Sequence, residues 1–303
     1  MALLSSDQQV EVWHADCVDD RAVTPTGYTE AIDRFLKRGG LEAGWVMALV
    51  GRSGVGKSFL AVNLADRLKD YPTLFSTQEM RAPQLISRLA CISYDLPLNI
   101  VDQRVSEGFY QEALKQYRED FQGLTVYDHK RPTFEDLSQA LVDAEGKVGE
   151  RPRAVIQDHL RLMTRNGYPQ HDNQRVPRLA EDFQVWAQEE GVAVILVCQT
   201  GRAHEGDVSR RNHGHIPLTQ EDLMYGGEQD MTQVLGLYRP EKDPALYDPK
   251  LEGQDLTEAQ VFLEKWRNKA VLQLPKNRFG PENPQGTVLE INRQSMRFTE
   301  RAA

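Results

Sequence analysis

The sequence predicts an α/β domain: a mostly parallel, twisted sheet flanked by helices, with antiparallel strands at the C-terminal edge. Three observations carry this. From Thr26 onward, short apolar runs alternate with stretches whose apolar residues recur at helical spacing, the pattern of strands joined by crossover helices. The run 45–50 is followed at once by the glycine-rich turn Gly51-Arg52-Ser53-Gly54-Val55-Gly56-Lys57-Ser58 and then by Phe59, Leu60, Val62, Leu64 and Leu68 on one helix face. The last two apolar runs are separated by Asn277-Arg278-Phe279-Gly280-Pro281, a connection short enough for an antiparallel pair.

Taken in order, strands are expected at 45–50, 73–77, 124–128, 153–157, 192–198, 233–238, 270–275 and 287–291. Helices are expected at 57–69, 82–92, 106–119, 133–147, 174–190 and 256–267. Residues 1–24 are polar and acidic, with a weakly amphipathic stretch around Val10, Val12 and Trp13. They read as an N-terminal arm or linker, either a helix packed on a neighbour or a frayed tail. Residues 25–303 then form a single domain. Residues 201–221 and 240–256 are polar and rich in Gly, Pro and Asp, as loops are.

Composition narrows the setting. Of 303 residues, 40% are hydrophobic and 27% charged, ordinary for a globular protein. No apolar run is long enough to span a membrane. The N-terminus lacks the basic and apolar regions of a signal peptide. Cys17, Cys91 and Cys198 are too few and too scattered for a disulfide framework or a zinc site, which points to a reduced, cytoplasmic compartment. The net charge of −9 argues against a surface that coats DNA indiscriminately. Any contact with nucleic acid must then rest on particular loops.

The turn at 51–58 fits G-x-x-x-x-G-K-[ST] between a strand and a helix, the context in which that pattern binds a nucleoside triphosphate. Its glycines let backbone N–H groups close on phosphates, Lys57 can reach the β/γ-phosphates, and Ser58 can ligate Mg²⁺. ATP and Mg²⁺ are the expected ligands. Hydrolysis needs further groups. Asp158 ends the strand 153–157 and is the candidate magnesium acid. Glu79, just beyond Phe75-Ser76-Thr77, is placed to polarise a water. Gln199 closes the strand 192–198, where an amide can report loss of a γ-phosphate to the next loop. Lys276 and Arg278 are alternate residues and point the same way if the strand continues. Two cations directed together suit a neighbour's phosphate site. Arg202, Arg210 and Arg211 outweigh Glu205 and Asp207 in the loop after Gln199, and can grip phosphates without reading sequence. Gly226 and Gly227 would permit close backbone approach. The spacing of His204, His213 and His215 matches no zinc pattern.

As a set, these residues resemble the RecA-like motor domain of DnaB-type replicative helicases, collinearly over roughly residues 25–300. The matching segments are Thr26-Gly27-Tyr28-Thr29, the phosphate loop Gly51–Ser58, Gln78-Glu79-Met80 with Gln84-Leu85 and Arg88-Leu89, Asp158-His159-Leu160-Arg161-Leu162-Met163, Val194–Gln199, Glu228-Gln229-Asp230 with Leu237-Tyr238-Arg239, and Lys276–Pro281. The resemblance implies that Lys57 and Ser58 hold phosphate and Mg²⁺, Glu79 is the base, Asp158 the metal acid and Gln199 the sensor. It implies that Lys276 and Arg278 act on the adjacent subunit of a homohexamer, with single-stranded DNA held by loops in a central channel. A loader or primase is the further partner it suggests. The chain departs from the family in two ways. The family's Arg-Glu pair is missing from the segment occupied by Leu223-Met224-Tyr225-Gly226-Gly227. Only a short arm precedes the motor, where the family carries a helical collar domain, which suits a phage or plasmid protein. The expected function is an ATP-driven helicase motor on single-stranded DNA in replication. The alternatives are a nucleotide-gated assembly or loader-type ATPase, and a RadA/Sms-like recombination ATPase, although the zinc cysteines and C-terminal domain of the latter are lacking.

Overall fold

The structure is a computed structural model and describes residues 5–19, 23–107, 110–164, 171–199, 230–242, 247 and 252–300. The arm is helical, α1 (Ser6–Val18), opened by a capping box in which Ser5 N donates to Gln8 Oε1 at 2.9 Å. A small antiparallel pair, β1 (Val23–Thr24) and β2 (Leu41–Glu42), leads into the main sheet. The sheet contains β3 (Val46–Val50), β4 (Thr73–Thr77), β5 (Leu124–Asp128), β6 (Ala154–Asp158), β7 (Ala193–Val197), β8 (Gln233–Tyr238), β9 (Lys269–Asn277), β10 (Asn283–Asn292) and β11 (Arg297–Glu300). Its spatial order is β11-β10-β9-β8-β3-β7-β6-β4-β5. The strands from β8 to β5 are parallel, and β9, β10 and β11 add on antiparallel.

Period-two alternation sorts the central strands onto two cores. Met47, Leu49, Ile156, Ile195 and Leu235 face one cluster. There they meet α2 (Lys57–Arg67) and α3 (Ala82–Ser93), through Leu60, Leu64, Leu85 and Leu89. Val46, Ala48, Val155, Val194 and Val234 face the other. There they meet α6 (Phe134–Val148) and α7 (Asp172–Glu190) through Leu137, Leu141, Leu179 and Phe183. Because both faces are covered, β3, β6 and β7 are buried along their whole length, as continuous apolar runs require.

The structure differs from the sequence expectation at several elements, among them β10, which begins at Asn283, four residues before its expected start. The helix expected at 106–119 is a pair, α4 (Leu98–Ser106) and α5 (Tyr110–Asp120). α4 carries one buried apolar residue, Val101, too little to mark a helix by periodicity. β9 extends past the expected 275 to Asn277, so Lys276 belongs to the ladder. β11 was not expected. It is four residues long and buries one large side chain, Phe298, under α2. The remaining helix, α8 (Gly253–Lys265), starts three residues before its expected position. No helix among the described residues is long and apolar enough to cross a membrane.

Candidate nucleotide site

The parallel strands put the C-terminal ends of β3, β7, β6 and β4 along one edge of the sheet, where ligand sites collect in such folds. The phosphate loop leaves β3 there. Gly51 is fixed by close packing, since a Cβ at this position would lie 2.6 Å from the Leu237 carbonyl oxygen. Gly56, at φ 105°, takes the left-handed conformation that turns the loop into α2. The α2 N-terminus, with Lys57 and Ser58 in its first turn, then faces the loop. Arg52, Ser53, Gly54 and Val55 form the rim, with Ser53 and Gly54 exposed and Val55 buried.

Lys57 is 7% exposed. Its Nζ donates to the carbonyls of Gly51 (2.8 Å) and Arg52 (2.9 Å). Burial lowers its pKa to about 8 against the opposing pull of Cys198, Glu79 and Asp158. Asp158, at the end of β6, is fully buried. Its Oδ1 lies 3.4 Å from Ser58 Oγ, and its Oδ2 has no hydrogen-bond partner among the described residues. Burial, reinforced by the Glu79 carboxylate, raises Asp158 to about 6. Glu79 is exposed beyond β4, within electrostatic reach of both Lys57 and Asp158. Gln199 is half-buried, two residues past β7, the strand between β3 and β6. The structure thus brings Lys57, Ser58, Glu79, Asp158 and Gln199 to one edge.

Four further side chains belong to this edge. Gln78 ties β4 to β6. Its N–H donates to Asp158 O (2.8 Å), and its Oε1 accepts from Gln157 Nε2 (2.7 Å) and from His159 N (2.8 Å). Arg88 lies over the Phe59 ring at 4.6 Å, touches Met80 Sδ, and lowers the Asp158 pKa. His159 is 3% exposed, and burial with the nearby Lys57 charge pushes it down to about 4. Arg239, buried and paired with Glu241, has Nη1 3.8 Å from where a Gly56 Cβ would sit. All four lie within the segments that resemble the family, Arg239 at the end of Leu237-Tyr238-Arg239. Gln78, for one, carries no local signal of its own, because its amide oxygen binds residues about 80 positions away.

Arg278 lies at the opposite edge, and Lys276, two residues before it, is level with Ala48 in the middle of β3. β9 runs antiparallel to β8, pairing Lys276 with Val234 and Asn277 with Gln233. Arg278 N donates to Thr232 O (3.0 Å), and Thr232 N to Val46 O (2.9 Å). Arg278 is therefore level with the start of β3, whereas the phosphate loop leaves its end. Five residues at strand rise separate the two levels, about 16 Å, beyond the reach of one side chain. The segment is anchored there: Phe279 stacks on Trp45 at 5.0 Å, and Asn277 Nδ2 donates to Phe35 O (2.8 Å) and Pro281 O (3.0 Å). Arg202, Arg210, Arg211, Gly226 and Gly227 lie outside the described residues.

Comparison with known proteins identifies the fold and the family. No curated protein sequence matches the chain. Among solved structures, the ATPase domain of G40P superposes with a TM-score of 0.75 at 19% identity, covering 99% of this chain and 100% of that one. A DnaB-like replicative helicase, described with its interactions with primase, gives 0.71 at 19% identity and covers 100% of this chain and 68% of that one. A KaiC-like protein from Pyrococcus horikoshii OT3 gives 0.55 at 14% identity, covering 92% of this chain and 99% of that one. At these identities the superpositions establish the shared RecA-like fold. The profile of the DnaB-like helicase C-terminal domain matches residues 24–300, and the chain belongs to that family.

Proposed function

We propose that this chain is an ATP-hydrolysing motor domain that assembles head to tail into a ring, most simply a homohexamer, and moves along single-stranded DNA. The observation that carries the proposal is the separation just described. A formed phosphate loop sits at one edge of the sheet, and Arg278, at the other, cannot reach it. Such a subunit is completed by a copy of itself.

In this reading the Gly51–Ser58 backbone and the α2 N-terminus hold the phosphates. Lys57 exchanges its two loop carbonyls for β/γ-phosphate oxygens. Asp158 and Ser58 fit a hard cation: both offer oxygen, and Asp158 Oδ2 is buried without a partner. Among the described residues no three of His, Cys, Asp or Glu converge as a metal site, so phosphate and water oxygens would fill the shell, as is usual for Mg²⁺. Bound there, Mg²⁺ would neutralise charge on the phosphates. Glu79 polarises the attacking water, and Gln199 senses the terminal phosphate. Lys276 and Arg278 of one subunit stabilise the transferred phosphoryl group on the next. Arg202, Arg210, Arg211 and the Gly226-Gly227 pair contact the DNA backbone. Residues 1–24, ahead of the motor domain 25–303, and α8 are the surfaces offered to a neighbour, a loader or a primase. The working compartment is the cytoplasm of a bacterial or phage-infected cell.

The test is the steady-state ATPase rate with and without single-stranded DNA, at low and moderate salt, beside Lys57→Ala. Stimulation that depends on Lys57 and fades with salt is expected. The net charge of −9 favours a second reading, a nucleotide-gated assembly protein. A Lys57-dependent rate indifferent to DNA even at low salt would establish it in place of the motor.

A further inference from the structure

His159 follows Asp158 at the end of β6. Its position is held from both sides: its backbone N donates to Gln78 Oε1 at 2.8 Å, and its ring Nδ1 accepts the Arg161 backbone N–H at 3.1 Å. In a neutral imidazole, a nitrogen that accepts leaves the proton on the other nitrogen. Nε2 is therefore an N–H donor. That atom is buried and has no hydrogen-bond partner among the described residues, in a side chain only 3% exposed. Buried donors are almost always paired, and an exception at a ligand edge calls for an explanation.

The neighbouring atoms supply one. Asp158 Oδ2, on the preceding residue, is a buried acceptor also without a partner among the described residues. The ring lies within electrostatic reach of Lys57. Two consecutive residues thus present one unsatisfied acceptor and one unsatisfied donor beside the phosphate loop. A phosphate oxygen carrying a cation answers both: the cation to the carboxylate, the oxygen to the N–H. The loop backbone and Lys57 serve the inner phosphates. β6 lies farther along the edge from β3, on the side of Glu79, where the terminal phosphate would extend.

We infer that His159 contacts the nucleotide, donating its Nε2–H to an oxygen of the terminal phosphate and so distinguishing a triphosphate from a diphosphate. This rests on reading the site as a triphosphate site. The geometry assigns His159 no part in proton transfer.

The experiment measures Kd for Mg²⁺–ATPγS and Mg²⁺–ADP in the full chain, for wild type, His159→Phe, His159→Gln and Lys57→Ala. His159→Phe should weaken ATPγS by about 10- to 100-fold, the range for a hydrogen bond to a charged group, and leave ADP unchanged. His159→Gln, whose amide can present a donor at the same place, should recover most of the loss. Equal weakening of both nucleotides would make His159 a merely structural residue and overturn the inference. Wild-type binding that Lys57→Ala leaves intact would instead overturn the triphosphate reading itself. In the wild type, the ¹⁵N signal of His159 Nε2–H should move on adding ATPγS and not on adding ADP. An unmoved signal would overturn the inference even if His159→Phe failed to fold.

Discussion

At the scale of single residues, burial sets the chemistry. Lys57 is held near pKa 8 by burial, so above that pH the proposed ATP site must take up a proton to bind the nucleotide. ATP is fully ionised in this range, so the dependence belongs to the protein. Affinity at pH 9 should be about tenfold weaker than at pH 7. Isothermal titration checks this, and Lys57→Arg should abolish the dependence; a flat wild-type profile would contradict it. Asp33 gives a case far from the site. Its carboxylate accepts from Thr26 N (2.9 Å), Thr26 Oγ1 (2.8 Å) and Gly27 N (3.0 Å), yet burial still raises it to about 6. Between pH 4 and 6 the folded state holds a proton that the unfolded chain has lost. Asp33 therefore favours folding at the acid end of that window, and this is lost as pH rises through 6. Compared with Asp33→Asn, wild-type stability should fall by about 2 kcal/mol from pH 4 to pH 7, measurable by urea unfolding. The phosphate loop was legible in the sequence because its chemistry needs contiguous residues. The Nε2 of His159, without a partner among the described residues, was not, since that depends on what β4, β6 and the Lys57 side chain place around it.

At the scale of elements, most strands and helices were legible, because buried parallel strands are apolar runs and two-layer helices keep a regular apolar face. Short elements escaped. β11 rests on Phe298 and on the Asn63 Oδ1 that accepts its backbone N–H at 2.8 Å, a partner 235 residues away. α4 buries too little to be seen. The extension of β9 to Asn277 matters most, because it fixes the direction of Lys276 through the ladder. The turn that follows is equally constrained: a Cβ on Gly280 would collide with the Phe35 carbonyl oxygen. Gly280→Ala should therefore shift Arg278 at a stability cost of about 1–3 kcal/mol. ATP binding by the variant should stay at the wild-type level while assembled ATPase activity drops at least about tenfold. Parallel loss of binding and turnover would show that the turn serves the fold alone.

At the scale of the whole molecule, the alternation of strands and helices announced the sheet, but which residues share an edge had to come from strand order. Asp158 and Glu79 are 79 positions apart in sequence and meet because β6 pairs with β4. Arg278 is kept away from Lys57 because β9 runs against β8. If the basic pair acts on a neighbour, Lys57→Ala and Arg278→Ala chains should each be inactive alone and active when mixed. Random mixing would restore about a quarter of the junctions, those joining an intact loop to an intact arginine. Mixtures as inactive as their components would refute action between subunits. Each chain on this arrangement carries halves of two different centres. An open spiral of n chains then has n − 1 complete centres, and a closed ring has n. Turnover per chain becomes a count of closure: zero for a lone subunit, rising with concentration, and reaching its ceiling only when the last gap shuts.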